Sequence, residues 1–142
     1  MERITFKEVL DHVSTLLNCK NTTVASLISV QDSTLSANKD KLISDVATKK
    51  AGKRLIRLMN VVAHFSDLSL NPQTIMKIIT DPVHTNDEGF GESIRDIILM
   101  DKYDRSILIE IGTKAYKKHV EALQKNHRRF LQKVDQELQA AI

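Results

Sequence analysis

Cysteine, glycine, proline and aromatic residues are scarce in this 142-residue chain, and each shortage removes a class of answer. Cys19 is the one cysteine, which excludes an intramolecular disulfide and a cysteine zinc cluster. A reducing, cytoplasmic setting is the simplest expectation. Four glycines and two prolines leave few breakers, so long helices are favoured over a many-stranded sheet. Tryptophan is absent, and leucine, isoleucine and valine must supply most of the core. No apolar run approaches the ~20 residues of a membrane span. The opening MERITFKEVL carries charge throughout, unlike a signal peptide. A soluble protein with no membrane partner is expected.

Nor does a catalytic signature stand out. The five histidines are scattered, with no Ser/His/Asp or Cys/His arrangement in a motif context. His84 with Asp81, Asp87 and Glu88 could be drawn as a metal site, but loop acids are usually just solvated. The Gly89-Phe90-Gly91 stretch follows no strand and sits among acids, unlike a phosphate-cradling loop. An enzyme is therefore the least favoured reading, and no cofactor or metal is expected.

What the chain does have is charge in blocks. Lys39 to Arg57 holds seven bases against two acids, Asp81 to Glu110 eight acids against three bases, and Lys114 to Arg129 six bases against one acid. Such blocks can present a positive face to a polyanion while total charge stays at +3. Solvated helix faces are the plainer account of any one block alone.

The stretch from Asn21 to Lys39 reads as two short helices joined by a tight turn, the layout of a helix-turn-helix. Val24, Leu27, Ile28 and Leu35 face inward. Ala25 falls where the helices cross closely. Ser29 occupies the turn, where the backbone often needs positive φ and glycine is usual. Thr22 or Thr23 is expected to cap the first helix of the pair, and Asp32 or Ser33 the second. Gln31, Ser33, Thr34, Ser36, Asn38 and Lys39 are left outside, with side chains able to reach base edges or phosphates. Lys49, Lys50, Lys53, Arg54 and Arg57 follow as candidate phosphate contacts at the start of a long helix.

Elsewhere the spacing predicts an opening helix with Phe6, Val9, Leu10, Val13, Leu16 and Leu17 on one face, capped by Thr5 and Glu8. A scaffold helix is expected over about 48–65, and a short one after Asn71-Pro72. Ser93 is placed to cap another carrying Ile94, Ile97, Ile98 and Leu99. A last helix is expected over about 104–138. Its apolar positions thin to Tyr116, Val120, Leu123, Phe130, Val134 and Leu138, with His127 in the remaining seam position. A stripe this narrow implies packing along the body or pairing with another chain, and homodimerisation through it is the expectation. The expected fold is thus all-α, a helix-turn-helix-containing helical bundle with a long C-terminal helix. An N-terminal region (1–66) carries the helix-turn-helix (21–39). A C-terminal region (67–142) serves partner binding or dimerisation.

The order of parts resembles a family. Lys53-Arg54-Leu55-Ile56-Arg57-Leu58 follows the helix pair, then a Thr80-Asp81-Pro82 break, then Gly89-Phe90-Gly91-Glu92-Ser93-Ile94. This is similar to antitoxins of the Xre/MbcA/ParS type, across about 21–112. Asp81-Pro82 stands where that pattern has Thr-Pro, and Ser93-Ile94 where it has Thr/Ser-Pro. The resemblance implies a repressor that binds double-stranded DNA and neutralises a toxin-like protein partner, often an NAD-consuming enzyme. From the residues alone, the expected function is a DNA-binding transcriptional regulator. The alternative is a helical protein-interaction inhibitor or adaptor without DNA binding.

Overall fold

A computed structural model describes residues 3–84, 91–101, 103 and 105–141. It is all-α. Among the described residues eight helices run in the order α1 (Phe6–Leu17), α2 (Asn21–Leu27), α3 (Asp32–Asn38), α4 (Ile43–Val46), α5 (Lys50–Asp67), α6 (Pro72–Thr80), α7 (Ile94–Ile98) and α8 (Arg105–Ala140). Between α6 and α7 two short strands, β1 (Val83–His84) and β2 (Gly91–Glu92), pair antiparallel, with Val83 opposite Glu92 and His84 opposite Gly91.

Helix α1 begins where its sequence says it should. The Thr5 hydroxyl accepts the Glu8 amide at 3.2 Å and satisfies one of the free N–H groups of the first turn. The helix ends at Asn18, whose left-handed backbone (φ 49°) closes the last turn. Phe6, Val9, Leu10, Val13 and Leu17 are buried, mainly against α5. The chain after α3 is stitched to the start of α1. The amide of Phe6 donates to Lys41 O at 2.8 Å, and that of Ile43 to Ile4 O at 2.9 Å. Helix α3 is thereby anchored at its exit as well as its entry.

Helix α5 is the central scaffold. Leu55, Leu58, Val61, Val62 and Phe65 are buried along it, and α1, α4, α6 and α7 pack on it. Gly52 lies where α4 passes: a Cβ there would come within 1.9 Å of the Val46 carbonyl oxygen, so only glycine permits the approach. The Asn71 side chain accepts the Thr74 amide at 2.8 Å, with Pro72 in the first turn. At α7, Ser93 and Asp96 form a reciprocal capping box. Leu99 closes α7 rather than continuing it. One buried cluster joins residues on both sides of position 66, from Phe6 through Leu55 and Ile78 to Ile111 and Ala115.

Two expected caps are corrected. Helix α2 starts at Asn21, with Lys20 as its cap and no side-chain bond, so neither Thr22 nor Thr23 caps it. The Asn21 side chain instead donates from Nδ2 to Asp11 Oδ1 at 3.1 Å and accepts at Oδ1 from the Ser14 hydroxyl, fastening α2 to α1. Helix α3 starts at Asp32 with Gln31 as its cap, again without a side-chain bond.

Candidate nucleic-acid interface

The backbone between α2 and α3 turns sharply at Ile28–Gln31. Ser29 has φ 52°, the left-handed conformation that a turn of this kind asks for and that glycine adopts more easily. The Val30 amide donates to Ala25 O at 2.9 Å and closes the turn. Ala25 is buried where a larger side chain would hold the helices apart, and Leu35 is the buried residue of α3. The rest of α3 looks outward. Gln31, Ser33, Ser36 and Lys39 are exposed, while Thr34 and Asn38 are half-buried. Asn38 Nδ2 donates to Thr34 O at 2.7 Å, so its amide is partly engaged within its own helix.

The basic block divides into two populations. Lys49, Lys50 and Lys53 are exposed at the start of α5. No acid stands in the first turn of that helix, and no side chain caps it, so three cations sit against the positive end of the helix dipole. Arg54 and Arg57 are half-buried and turned inward. Arg54 Nη1 donates to Ile28 O at 3.0 Å and Ser29 O at 3.4 Å, and its Nη2 donates to Leu99 O at 3.2 Å. Arg57 Nη1 donates to Ile98 O at 3.0 Å and Met100 O at 2.9 Å, and its guanidinium lies 4.4 Å from the centre of the Tyr103 ring. These two arginines thus hold helix ends and turns, and fewer of their donors are left for phosphate.

A third arginine belongs with them. Arg95, on α7, donates from Nε to Leu27 O at 2.9 Å and from Nη2 to Ser26 O at 3.1 Å and Ser29 Oγ at 3.0 Å. Carbonyls at a helix C-terminus lack intrahelical partners and carry the negative end of the dipole, which is why guanidinium groups collect there. The α2–α3 turn is therefore clasped from two sides, by Arg54 on the scaffold helix and by Arg95 on α7. Sequence reasoning missed Arg95. Its only signal was a lone base on a short apolar helix inside an acid-rich stretch.

On α8 the proposed dimerisation residues also divide. Tyr116 stacks against Phe65, with ring centres 6.3 Å apart and planes 10° from parallel, and belongs partly to the body. Val120 is half-buried. Leu123, Phe130, Val134 and Leu138 are exposed, and from residue 121 to 141 every side chain faces solvent. Asp81 fastens α8 to the end of α6, at 2.6 Å from Lys118 Nζ and 2.9 Å from His119 Nε2. The Lys118 hydrogen bond holds the Asp81 carboxyl below the usual aspartate range.

Cys19 is half-buried, and burial pushes its thiol pKa up, away from reactivity. No group of three or more His, Cys, Asp or Glu residues that could hold a metal occurs among the described residues. The Gly89-Phe90 stretch, Asp87 and Glu88 lie outside the described residues. No helix of the described residues is long and apolar enough to cross a membrane. Compared with family models, curated proteins and solved structures, the chain finds no match.

Proposed function

We propose that this protein is a DNA-binding transcriptional regulator that offers α3 to the major groove and acts as a homodimer through α8. The observation that carries the reading is the α2–α3 pair itself. A short helix held by one buried leucine, behind a left-handed turn clasped by two arginines, presents Gln31, Ser33, Ser36 and Lys39 to solvent. Side chains of these types contact base edges and phosphates when a helix lies in the major groove. Lys50 lies one turn before Arg54 on α5, and Arg54 touches the α2–α3 turn. Lys50 therefore lies on the face of α5 that meets the turn, where a DNA backbone passing α3 would meet it.

Duplex binding measured by fluorescence anisotropy tests this. Affinity should fall steeply and linearly in log–log terms with salt. Ser36→Ala/Lys39→Ala should weaken binding at least tenfold, because each lost contact of this kind is worth on the order of 1 kcal/mol. Unchanged affinity in that double variant, at a salt concentration where the wild type binds, refutes the assignment of α3.

The resemblance to Xre/MbcA/ParS antitoxins adds a second role, binding of a toxin-like protein through the acid-rich 81–110 region. The clasp favours a connection between the two roles, since α7 lies in that region and Arg95 reaches the turn before α3. Co-purification of a protein partner together with no DNA retention at low salt would instead select the alternative, an adaptor or inhibitor that does not bind DNA.

A further inference from the structure

One face of α8 runs along the body and then out into solvent. From Ile109 its seam positions step by four and three through Thr113, Tyr116, Val120 and Leu123, and the same repeat then takes in His127, Phe130 and Val134. Steps of four and three are the repeat of a two-helix seam. The stripe therefore begins two seam positions before Tyr116, because Ile109 is 60% exposed despite lying beside the body.

The two halves of this face are opposite in bulk. The first half borders a groove of about 870 Å³ between α5 and α8, lined by Phe65, Leu68, Ile109, Gly112, Thr113 and Tyr116. Gly112 and Thr113 are the small residues there. The second half carries Leu123, Phe130 and Val134, with Phe130 63% exposed. Volume is missing on one half and in excess on the other.

We propose that two copies of this chain pair through α8 in antiparallel sense, each seating its Phe130 in the α5–α8 groove of the other. The proposal rests on the self-association proposed above and gives it an orientation. Antiparallel pairing centred on Val120 against Leu123 of the second copy fixes every other layer of the seam. Tyr116 then meets His127, Thr113 meets Phe130 and Ile109 meets Val134. The smallest seam residue faces the most exposed ring, and the exposed Ile109 is covered. On the flanks Glu110 lies beside Leu131, Lys117 beside Gln124 and Gly112 beside Lys133, so no like charges are opposed. Parallel pairing would match Thr113 with Thr113 and Phe130 with Phe130, leaving both grooves open and crowding two rings in one layer. Two complementary halves on one helix are what a self-complementary, two-fold interface requires.

Disulfide trapping in the full-length chain tests the orientation. On a Cys19→Ser background, Glu110→Cys and Leu131→Cys are made as separate variants, one of them tagged, and mixed under mild oxidation. The mixed disulfide should exceed either like-with-like disulfide by about tenfold. Positions 110 and 131 are about 32 Å apart along one helix, so like pairs cannot form readily in an antiparallel dimer. By sedimentation, Phe130→Asp should raise the dimer dissociation constant about 100-fold, because two rings leave the interface per dimer. Thr113→Phe should also weaken the dimer, and Thr113→Phe/Phe130→Thr should restore most of the loss by exchanging the large and small positions. Like-with-like disulfides in excess overturn the antiparallel orientation while leaving self-association standing. A wild-type chain that stays monomeric at about 100 µM overturns both, since an interface of this kind should be well populated there.

Discussion

Removing the Arg95 side chain should loosen the α2–α3 turn without emptying any part of the core. The guanidinium makes three hydrogen bonds across 66 to 69 residues of sequence, two to carbonyls that end α2 and one to the Ser29 hydroxyl. The bond to Leu27 O is partly buried, and the other two are exposed. A partly buried bond from a charged donor is worth about 1 kcal/mol or somewhat more. The two exposed bonds are screened by water and contribute roughly 0.5 kcal/mol each. Arg95→Ala should therefore cost ~2 kcal/mol, or about 4–8 °C in Tm for a chain of this size. Arg95→Lys keeps the cation near the end of α2 but not the planar fork, and should recover less than half of the loss. Urea unfolding followed by circular dichroism gives the stability, and a double-mutant cycle with Ser29→Ala isolates the hydroxyl bond. Two results refute the reasoning. If Arg95→Ala unfolds within ~0.3 kcal/mol of wild type, the clasp does not hold the turn. If Arg95→Lys equals wild type, charge alone matters and the hydrogen-bond geometry is irrelevant.

Other perturbations test neighbouring parts of the argument. Gly52→Ala should destabilise by roughly 2 kcal/mol despite alanine's better helix propensity, because the new Cβ meets backbone at Val46 and α4 must shift; a thermal melt at or above the wild-type Tm would contradict the close approach. Asp81 has its folded pKa lowered by Lys118, so it contributes stability above the ordinary aspartate range and loses it as pH falls through the lower folded value. Partial exposure keeps that contribution under about 1 kcal/mol, and it should vanish from the acid limb of the stability–pH curve in Asp81→Asn. Ser29→Gly relieves a left-handed backbone but gives up the Arg95 bond and adds freedom to the unfolded chain, so its stability should lie within ~0.5 kcal/mol of wild type; a loss above ~1.5 kcal/mol would show that the hydroxyl outweighs the backbone.

The residues that announce themselves locally were legible in the sequence. Thr5, Asn71-Pro72 and Ser93 each act within three residues of their own position, and each starts a helix. The turn at Ser29 was legible for the same reason, since the apolar residues on either side fix where the chain must reverse, and its φ of 52° follows. The missed caps show the limit of that reasoning. Asn21 has a side chain suited to local bonding, yet it bonds Asp11 ten residues away, and a partner at that distance leaves no mark on the local pattern. Arg54, Arg57 and Arg95 are a stronger case. In sequence an arginine beside lysines is simply one more positive charge. In the fold the half-buried arginines reach carbonyls 25 to 69 residues away, while exposed Lys49, Lys50 and Lys53 stay in water. The short lysine head has no planar fork to span two carbonyls at once.

That division changes what the charge blocks mean. The stretch from Lys39 to Arg57 reads as one basic patch, yet its two inward arginines neutralise the negative ends of α2 and α7 before any external anion is considered. What is left for a polyanion is lysine, exposed and unforked, which binds phosphate as a point charge and carries little sequence information. Discrimination between DNA sequences would then fall to the α3 face, where Gln31, Ser33, Ser36 and Lys39 are the exposed candidates. A single copy of so few contacts cannot read a site with much selectivity, because each contact discriminates by only ~1–3 kcal/mol. Two copies double that free energy if their spacing is fixed, and the helix that projects beyond the body with its apolar side uncovered is the element able to fix it.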